Sequence, residues 1–457
     1  MFLGITHQNP AKTKIRDVKR IIDDELTRWA SEQMPKPLLL RGARQVGKTY
    51  SVRKLAKHFK HFAEVNLDEN PETAAFFDGP LSAQPIAEKL SAYTHTPILP
   101  GKTLLFLDET QACPRALAAL RYFKEQMPGL HVIAAGSLLE FALEEIPSLG
   151  VGRLTSRFMY PMTFTEFLCG IGEEPLVQMM NAADFSHPLD EPVHRRLIAH
   201  LRTYMTIGGM PEIVSLYASR HDLLSAMDAL DDLILVFQDD FAKYRRRVPL
   251  ARLAETFRSV ALQSGGKFVC ARVNRETKST AIREALELLV KAGLVVKVHH
   301  TGANGLPLGA AIDETNFKAF LSDTGLHQRI LGLDLKELVS IDDTAFANKG
   351  SLAEVYTALQ IASHMSMRHR PELYYWHREA TNATAEVDFV LQHGDRMLPV
   401  EVKSGVRGSM KSLRLFMAEK HVDMGVRISL ENFATLPDVR ILPLYAVHRI
   451  TDGSLMP

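Results

Sequence analysis

The sequence predicts an α/β protein of several domains: a parallel-sheet domain around a phosphate loop, a helical and winged-helix middle, and a second α/β domain at the C-terminus. Three observations carry this. The apolar run 37–40 leads into Gly42-Ala43-Arg44-Gln45-Val46-Gly47-Lys48-Thr49 and then a helical pattern. Further apolar runs at 104–107 and 131–137 end in polar groups, Asp108 and Glu109 for the first and Ser137 for the second, as buried parallel strands do. Residues 385–391 and 397–403 alternate around Gly394-Asp395, a Gly-first hairpin turn. The expected boundaries are 1–170, 171–249, 250–310 and 311–457.

Charge and cysteines exclude several classes. With 54 basic and 53 acidic residues the formal charge is +1, so affinity for nucleic acid must come from a local patch. Cys113, Cys169 and Cys270 lie far apart without C-x-x-C spacing, which argues against a disulfide framework or zinc knot and for a reducing cytoplasm. No apolar core of a signal peptide opens the chain, and no run reaches the ~20 residues of a membrane helix.

The segment 42–49 satisfies G-x-x-x-x-G-K-[ST]. Glycines let backbone N–H groups turn inward on a phosphate, and the helix N-terminus adds partial positive charge. Lys48 reaches the β and γ oxygens of ATP, and Thr49 holds Mg²⁺. Val52, Leu55, Ala56 and Phe59 then fall at helical spacing. In "TLLFLDETQ" the strand ends in Asp108 and Glu109, where buried carboxylates call for a cation or a reaction. Asp108 is a Mg²⁺ ligand and Glu109 polarises the attacking water; a cap for the next helix is the structural alternative. Ser137, after the next strand, is either a γ-phosphate sensor or a helix cap. Arg153, and secondarily Arg157, is a candidate for transition-state charge in cis or to a neighbouring subunit.

In their order, "LLLRGARQVGKT", "LLFLDETQ", "AAGSLL", "GR" and "YPMTFTEFL" resemble bacterial and archaeal AAA-type P-loop ATPases that carry a C-terminal domain of unknown function. The resemblance covers nearly the whole chain. It implies an additional-strand ATPase fold and makes a homo-oligomer plausible if Arg153 acts in trans.

Residues 171–249 read as a helical connector broken at Gly208-Gly209-Met210-Pro211. Its Arg245-Arg246-Arg247 run is a solvated face or a contact for phosphates or a neighbour's acids. From 250 to 310, two helical patterns and a strand at 294–300 suit a winged helix. Arg283 and Lys291 would lie on its DNA-facing side, or the module is a packing wedge.

At the C-terminus the turn sets pairs that sum to 789. Asp388 then faces Glu401 and Glu386 faces Lys403, with Phe389 opposite Val400 and Val387 opposite Val402. Like charges directly opposed destabilise a hairpin unless a cation lies between them, and a divalent metal is the simplest one. Lys403 would orient or activate water, and Glu354, on the helical pattern 350–364, would complete the ligand set. Glu354, Asp388 and Glu401-Val402-Lys403 resemble the D…[DE]-x-K core of the restriction-endonuclease-like superfamily. The alternatives are an exposed polar face of an edge hairpin, which Pro399 would suit, or a nuclease fold that keeps only its shape. The expectation is an ATPase that processes branched or broken DNA with Mg²⁺. Its rival is an ATP-dependent switch whose nuclease-like domain only binds a partner.

Overall fold

The structure, a computed structural model, describes residues 18–136, 139–144, 152–244, 248–332, 350–378, 385–405, 409–453 and 455. Ser137 and Arg245, Arg246 and Arg247 lie outside them.

Apolar runs at the N-terminal end become β1 (Leu38–Arg41), β2 (His61–Asn66), β3 (Thr103–Asp108), β4 (His131–Ala135) and β5 (Thr155–Phe158). They form one sheet in the order β2-β3-β4-β1-β5, with every pairing parallel. Because strand side chains alternate, Leu38 and Leu40 enter one core while Leu39 enters a second on the opposite face. Both faces are covered, so the strands read as unbroken apolar runs.

The connector is helical as expected. Glu191–Ile207 and Pro211–Arg220 are helices on either side of the Gly208-Gly209 break, followed by Leu223–Asp240. The break is fixed from two sides. Met162 N donates to Gly209 O at 2.6 Å, and Gly209 N donates to Asp323 Oδ2 at 2.7 Å. A Cβ at Gly209 would lie 2.0 Å from the Met162 carbonyl oxygen. We expect Gly209→Ala to lower stability by about 3 kcal/mol through this overlap, read as a lower urea midpoint at unchanged slope.

The second sheet is mixed and eight-stranded. It comprises β6 (Val295–Thr301), β7 (Ile312–Leu321), β8 (Leu373–His377), β9 (Glu386–His393), β10 (Arg396–Val402), β11 (Gly425–Ser429), β12 (Ala434–Thr435) and β13 (Val439–Pro443). Their order is β12-β13-β11-β10-β9-β8-β6-β7. Helices Leu250–Leu262 and Ser279–Lys291 match the winged-helix pattern, but the hairpin β6–β7 that would be the wing belongs to this sheet, because β6 pairs in parallel with β8. The boundary expected at 310/311 therefore falls inside a paired hairpin. Lys291 is also turned away from a groove: it pairs with Glu144 of the first domain. Gly293 packs so closely on the phosphate loop that a Cβ there would lie 3.0 Å from Ala43 N.

The β9–β10 register agrees with the turn. Arg396 pairs with His393 and Val400 with Phe389, and Gly394 adopts φ 60°. The edge-strand alternative does not hold, since β10 lies between β9 and β11. Its ladder to β11 begins at Val400, just beyond Pro399. No helix among the described residues is long and apolar enough to cross a membrane.

Candidate functional site

The loop between β1 and the helix Lys48–Leu55 is shaped by backbone that needs glycine. Gly42 has φ 148° and Gly47, the N-cap, has φ 97°. A Cβ on Gly42 would sit 2.3 Å from the Met159 carbonyl oxygen. Gln45 also holds a left-handed φ of 62°, a conformation that costs energy outside glycine and gathers at ligand-binding loops.

Lys48 Nζ donates to Gly42 O at 2.9 Å and to Ala43 O at 2.7 Å. Burial lowers its pKa to about 8, against the opposing pull of Glu109 and Asp108. Thr49 Oγ1 donates to Asp108 Oδ2 at 2.8 Å, so the hydroxyl after the lysine and the acid at the end of β3 meet at one point. Burial pushes the Asp108 carboxyl up, with the Thr49 bond acting the other way. A hydroxyl oxygen beside a buried carboxylate is an all-oxygen pair, which suits Mg²⁺ bound jointly with phosphate. Glu109 follows in left-handed backbone (φ 48°, ψ 45°), and its carboxylate accepts from Gln111 Nε2. Glu109 occupies the N-cap position of the short turn Thr110–Ala112, but its side chain makes no cap hydrogen bond.

Arg44, Gln45, Gly47, Lys48, Thr49, Asp108 and Glu109 line a cavity of about 880 Å³. Its opposite wall is the connector helix Pro211–Arg220, through Pro211, Glu212, Val214, Ser215 and Ala218. Gly42, Ala43 and Val46 do not line it. Gly42 and Ala43 border a separate cavity of about 530 Å³ shared with Lys291 and Gly293, while Val46 is in the core and its carbonyl accepts from Arg20. Arg44 also reaches Asp240 at 2.6 Å, which ties the loop to the helix Leu223–Asp240.

The two arginines do not reach the cavity within the chain. Arg153 precedes the start of β5, at the end of the sheet opposite the phosphate loop, where it pairs with Glu125. Arg157 is buried inside β5, 3.1 Å from Glu25. A role in cis is corrected for both: Arg153 lies before the first residue of a parallel strand, far from the loops that follow the last ones, and the buried Arg157 side chain is engaged by Glu25 and does not line the cavity.

Residues 34–168 match the AAA domain family. This region is an AAA-type P-loop ATPase domain. Residues 198–337 match a domain of unknown function, DUF8612, and residues 349–447 another, DUF4143. Comparison with curated proteins gives no match. Among solved structures, the chain is similar to a Walker-type ATPase of Pyrococcus abyssi at 17% identity and TM-score 0.44, covering 69% of this chain and 96% of that one. It is also similar to Orc1 of Aeropyrum pernix, solved in complex with DNA, at 14% identity and TM-score 0.29, covering 70% and 94%. A third is Cdc6p of Pyrobaculum aerophilum, at 11% identity and TM-score 0.26, covering 70% and 97%.

Beyond the AAA domain, the C-terminal acids do come together, but around a cation that the sequence reading missed. Lys318 of β7 is fully buried, with Nζ 2.5 Å from Glu354 Oε1, 2.6 Å from Glu386 Oε1 and 4.0 Å from Asp388 Oδ1. Burial alone would lower its pKa, yet Glu354, Asp388 and Glu386 together raise it, so the ammonium stays charged. Asp388 Oδ2 accepts from Val402 N at 2.7 Å, and Glu401 pairs with Lys403. Burial, then Asp388, pushes Glu401 up to about 7; burial takes Glu354 to about 7 as well, with Lys318 pulling it down.

Glu354, Asp388 and Glu401 were expected as metal ligands. Among the described residues no group of three or more His, Cys, Asp and Glu side chains is arranged to hold a metal ion. A lysine ammonium instead stands beside Glu354, Glu386 and Asp388, while Glu401 is paired with Lys403. One signal could have revealed it: "TNFKAFL" is a strand whose lysine sits in an apolar run, and a buried lysine needs acids.

Asp323, two residues past β7, links this sheet to the Gly208-Gly209 break that precedes the helix Pro211–Arg220. It is buried and accepts from Gly209 N and, at 3.0 Å, from Leu326 N. Burial raises its pKa to about 6 from 3.8, against those N–H bonds. The folded chain thus holds the proton more tightly than the unfolded one. Its contribution to stability is full below pH 3.8 and is lost as pH rises through 6. Buried histidines such as His327, lowered by burial to about 4, act in the opposite direction. The difference between wild type and Asp323→Asn isolates the aspartate. We expect the variant to be less stable by about 1–3 kcal/mol, with a gap in denaturant midpoint that narrows as pH rises through 6.

Proposed function

We propose that the chain binds and hydrolyses ATP in the AAA domain and uses the nucleotide state as a switch. The observation that carries this is the meeting of Lys48, Thr49, Asp108 and Glu109 at one wall of a cavity whose other wall is the helix Pro211–Arg220. Lys48 binds phosphate oxygens, loop N–H groups orient them, and Glu109 takes the proton of the attacking water. Mg²⁺ held by Thr49 and Asp108 would neutralise charge on the β and γ phosphates.

Hydrogen bonds give the switch a physical route. The helix Pro211–Arg220 follows Gly209, which is bonded to Met162 of the AAA domain and to Asp323 beyond β7. Gln360, on the same helix as Glu354, accepts from Phe164 N at 3.2 Å and donates to Tyr204 Oη at 3.2 Å. A shift of the connector on nucleotide binding would therefore be felt by the second sheet. In this reading the C-terminal domain engages a partner, and DNA is one candidate. Self-assembly is another part of it: Arg153, exposed and remote from its own cavity, could complete the site of a neighbouring copy.

The other reading, cleavage of branched or broken DNA with Mg²⁺, has one observation in its favour. Glu401 Oε2 is buried without a hydrogen-bond partner, next to Lys403. Calorimetry with ATP and Mg²⁺ tests the nucleotide reading, and absence of binding heat overturns it. Incubation with branched and linear DNA separates the two roles: cutting that disappears in Lys403→Ala makes the protein a nuclease, and none supports the switch. Sedimentation with and without nucleotide tests assembly.

A further inference from the structure

Four carboxylates converge on one face of the second sheet: Glu386 and Asp388 from β9, Glu401 from β10, and Glu354 from the helix Gly350–His364. Such a group needs positive charge, and β7 brings it from two strands beyond β8. Lys318 is fixed in the β6–β7 ladder opposite Val298, and its Nζ lies 5.0 Å from the centre of the Tyr375 ring. The ammonium is therefore held by Glu354 and Glu386 at hydrogen-bond distance, by Asp388 at 4.0 Å, by an aromatic face and by the strand itself.

We propose that Lys318 is a resident cation that closes this cluster to divalent metals, so that the C-terminal domain works without a metal at these carboxylates. It follows that removing the lysine turns the cluster into a site for a hard divalent ion. Glu354, Glu386 and Asp388 would lose their shared cation together, and their oxygens suit such an ion. The inference stands on the second sheet alone and does not depend on ATP binding.

Mn²⁺ titration of the full chain without nucleotide, followed by electron paramagnetic resonance, tests it. Wild type and Asp388→Asn should give the same titration. Lys318→Met should gain one Mn²⁺ per chain at least ten-fold tighter than wild type, and should lose it again in Lys318→Met/Asp388→Asn. A wild-type Mn²⁺ site that disappears in Asp388→Asn overturns the proposal, and this arm decides even if Lys318→Met fails to fold. A Lys318→Met chain with wild-type circular dichroism and a cooperative unfolding transition that gains no Mn²⁺ also overturns it.

Discussion

Lys48→Ala is expected to weaken ATP binding at least ~100-fold, on the scale of two charge-assisted hydrogen bonds of about 1.5 kcal/mol each. Nζ lies within hydrogen-bond distance of two loop carbonyls, so it is already aimed along the inner side of the loop. Exchanging those neutral acceptors for phosphate oxygens would favour the charged amine and raise its pKa above about 8. Binding near pH 8 should then take up a proton, and affinity should fall as pH rises through that value. Calorimetry in buffers of different ionisation enthalpy measures the uptake. Unchanged affinity in the alanine variant would remove Lys48 from the site.

Glu109→Gln should leave affinity close to wild type while turnover falls by roughly 10²–10⁴, the usual worth of a positioned general base. The amide keeps the size of the carboxylate and its contact with Gln111, but it cannot accept the proton of water. Thr49 and Asp108 remain joined, so phosphate and Mg²⁺ binding should persist. Phosphate release measured beside nucleotide affinity separates the two effects. A variant that still hydrolyses ATP at the wild-type rate would return Glu109 to the role of a helix cap.

The phosphate loop was legible because its parts are contiguous. Gly42, Gly47, Lys48 and Thr49 lie within one turn of chain, and the conformations they need follow from their own chemistry. Asp108 and Glu109 were legible because charge at the end of an apolar strand is costly unless used. The β9–β10 register was legible for a related reason: Gly394 fixes a turn and the pleat does the rest. The far wall of the cavity beside the phosphate loop was not, since Pro211 and Val214 lie more than a hundred residues past Asp108 and read only as helix.

The sequence alone thus determined the local chemistry: strands buried on both faces, a glycine-shaped loop between strand and helix, acids at strand ends, and a hairpin that opposes carboxylates. Tertiary structure decided which distant groups answer those charges. It put Lys318 among Glu354, Glu386 and Asp388, moved the expected wing into the second sheet, and set Arg153 at the wrong end of β5 to act within its own chain. The physical reason is that hydrogen-bond geometry and side-chain alternation act over a few residues, whereas pairing between strands far apart in the chain brings together charges that no local pattern encodes.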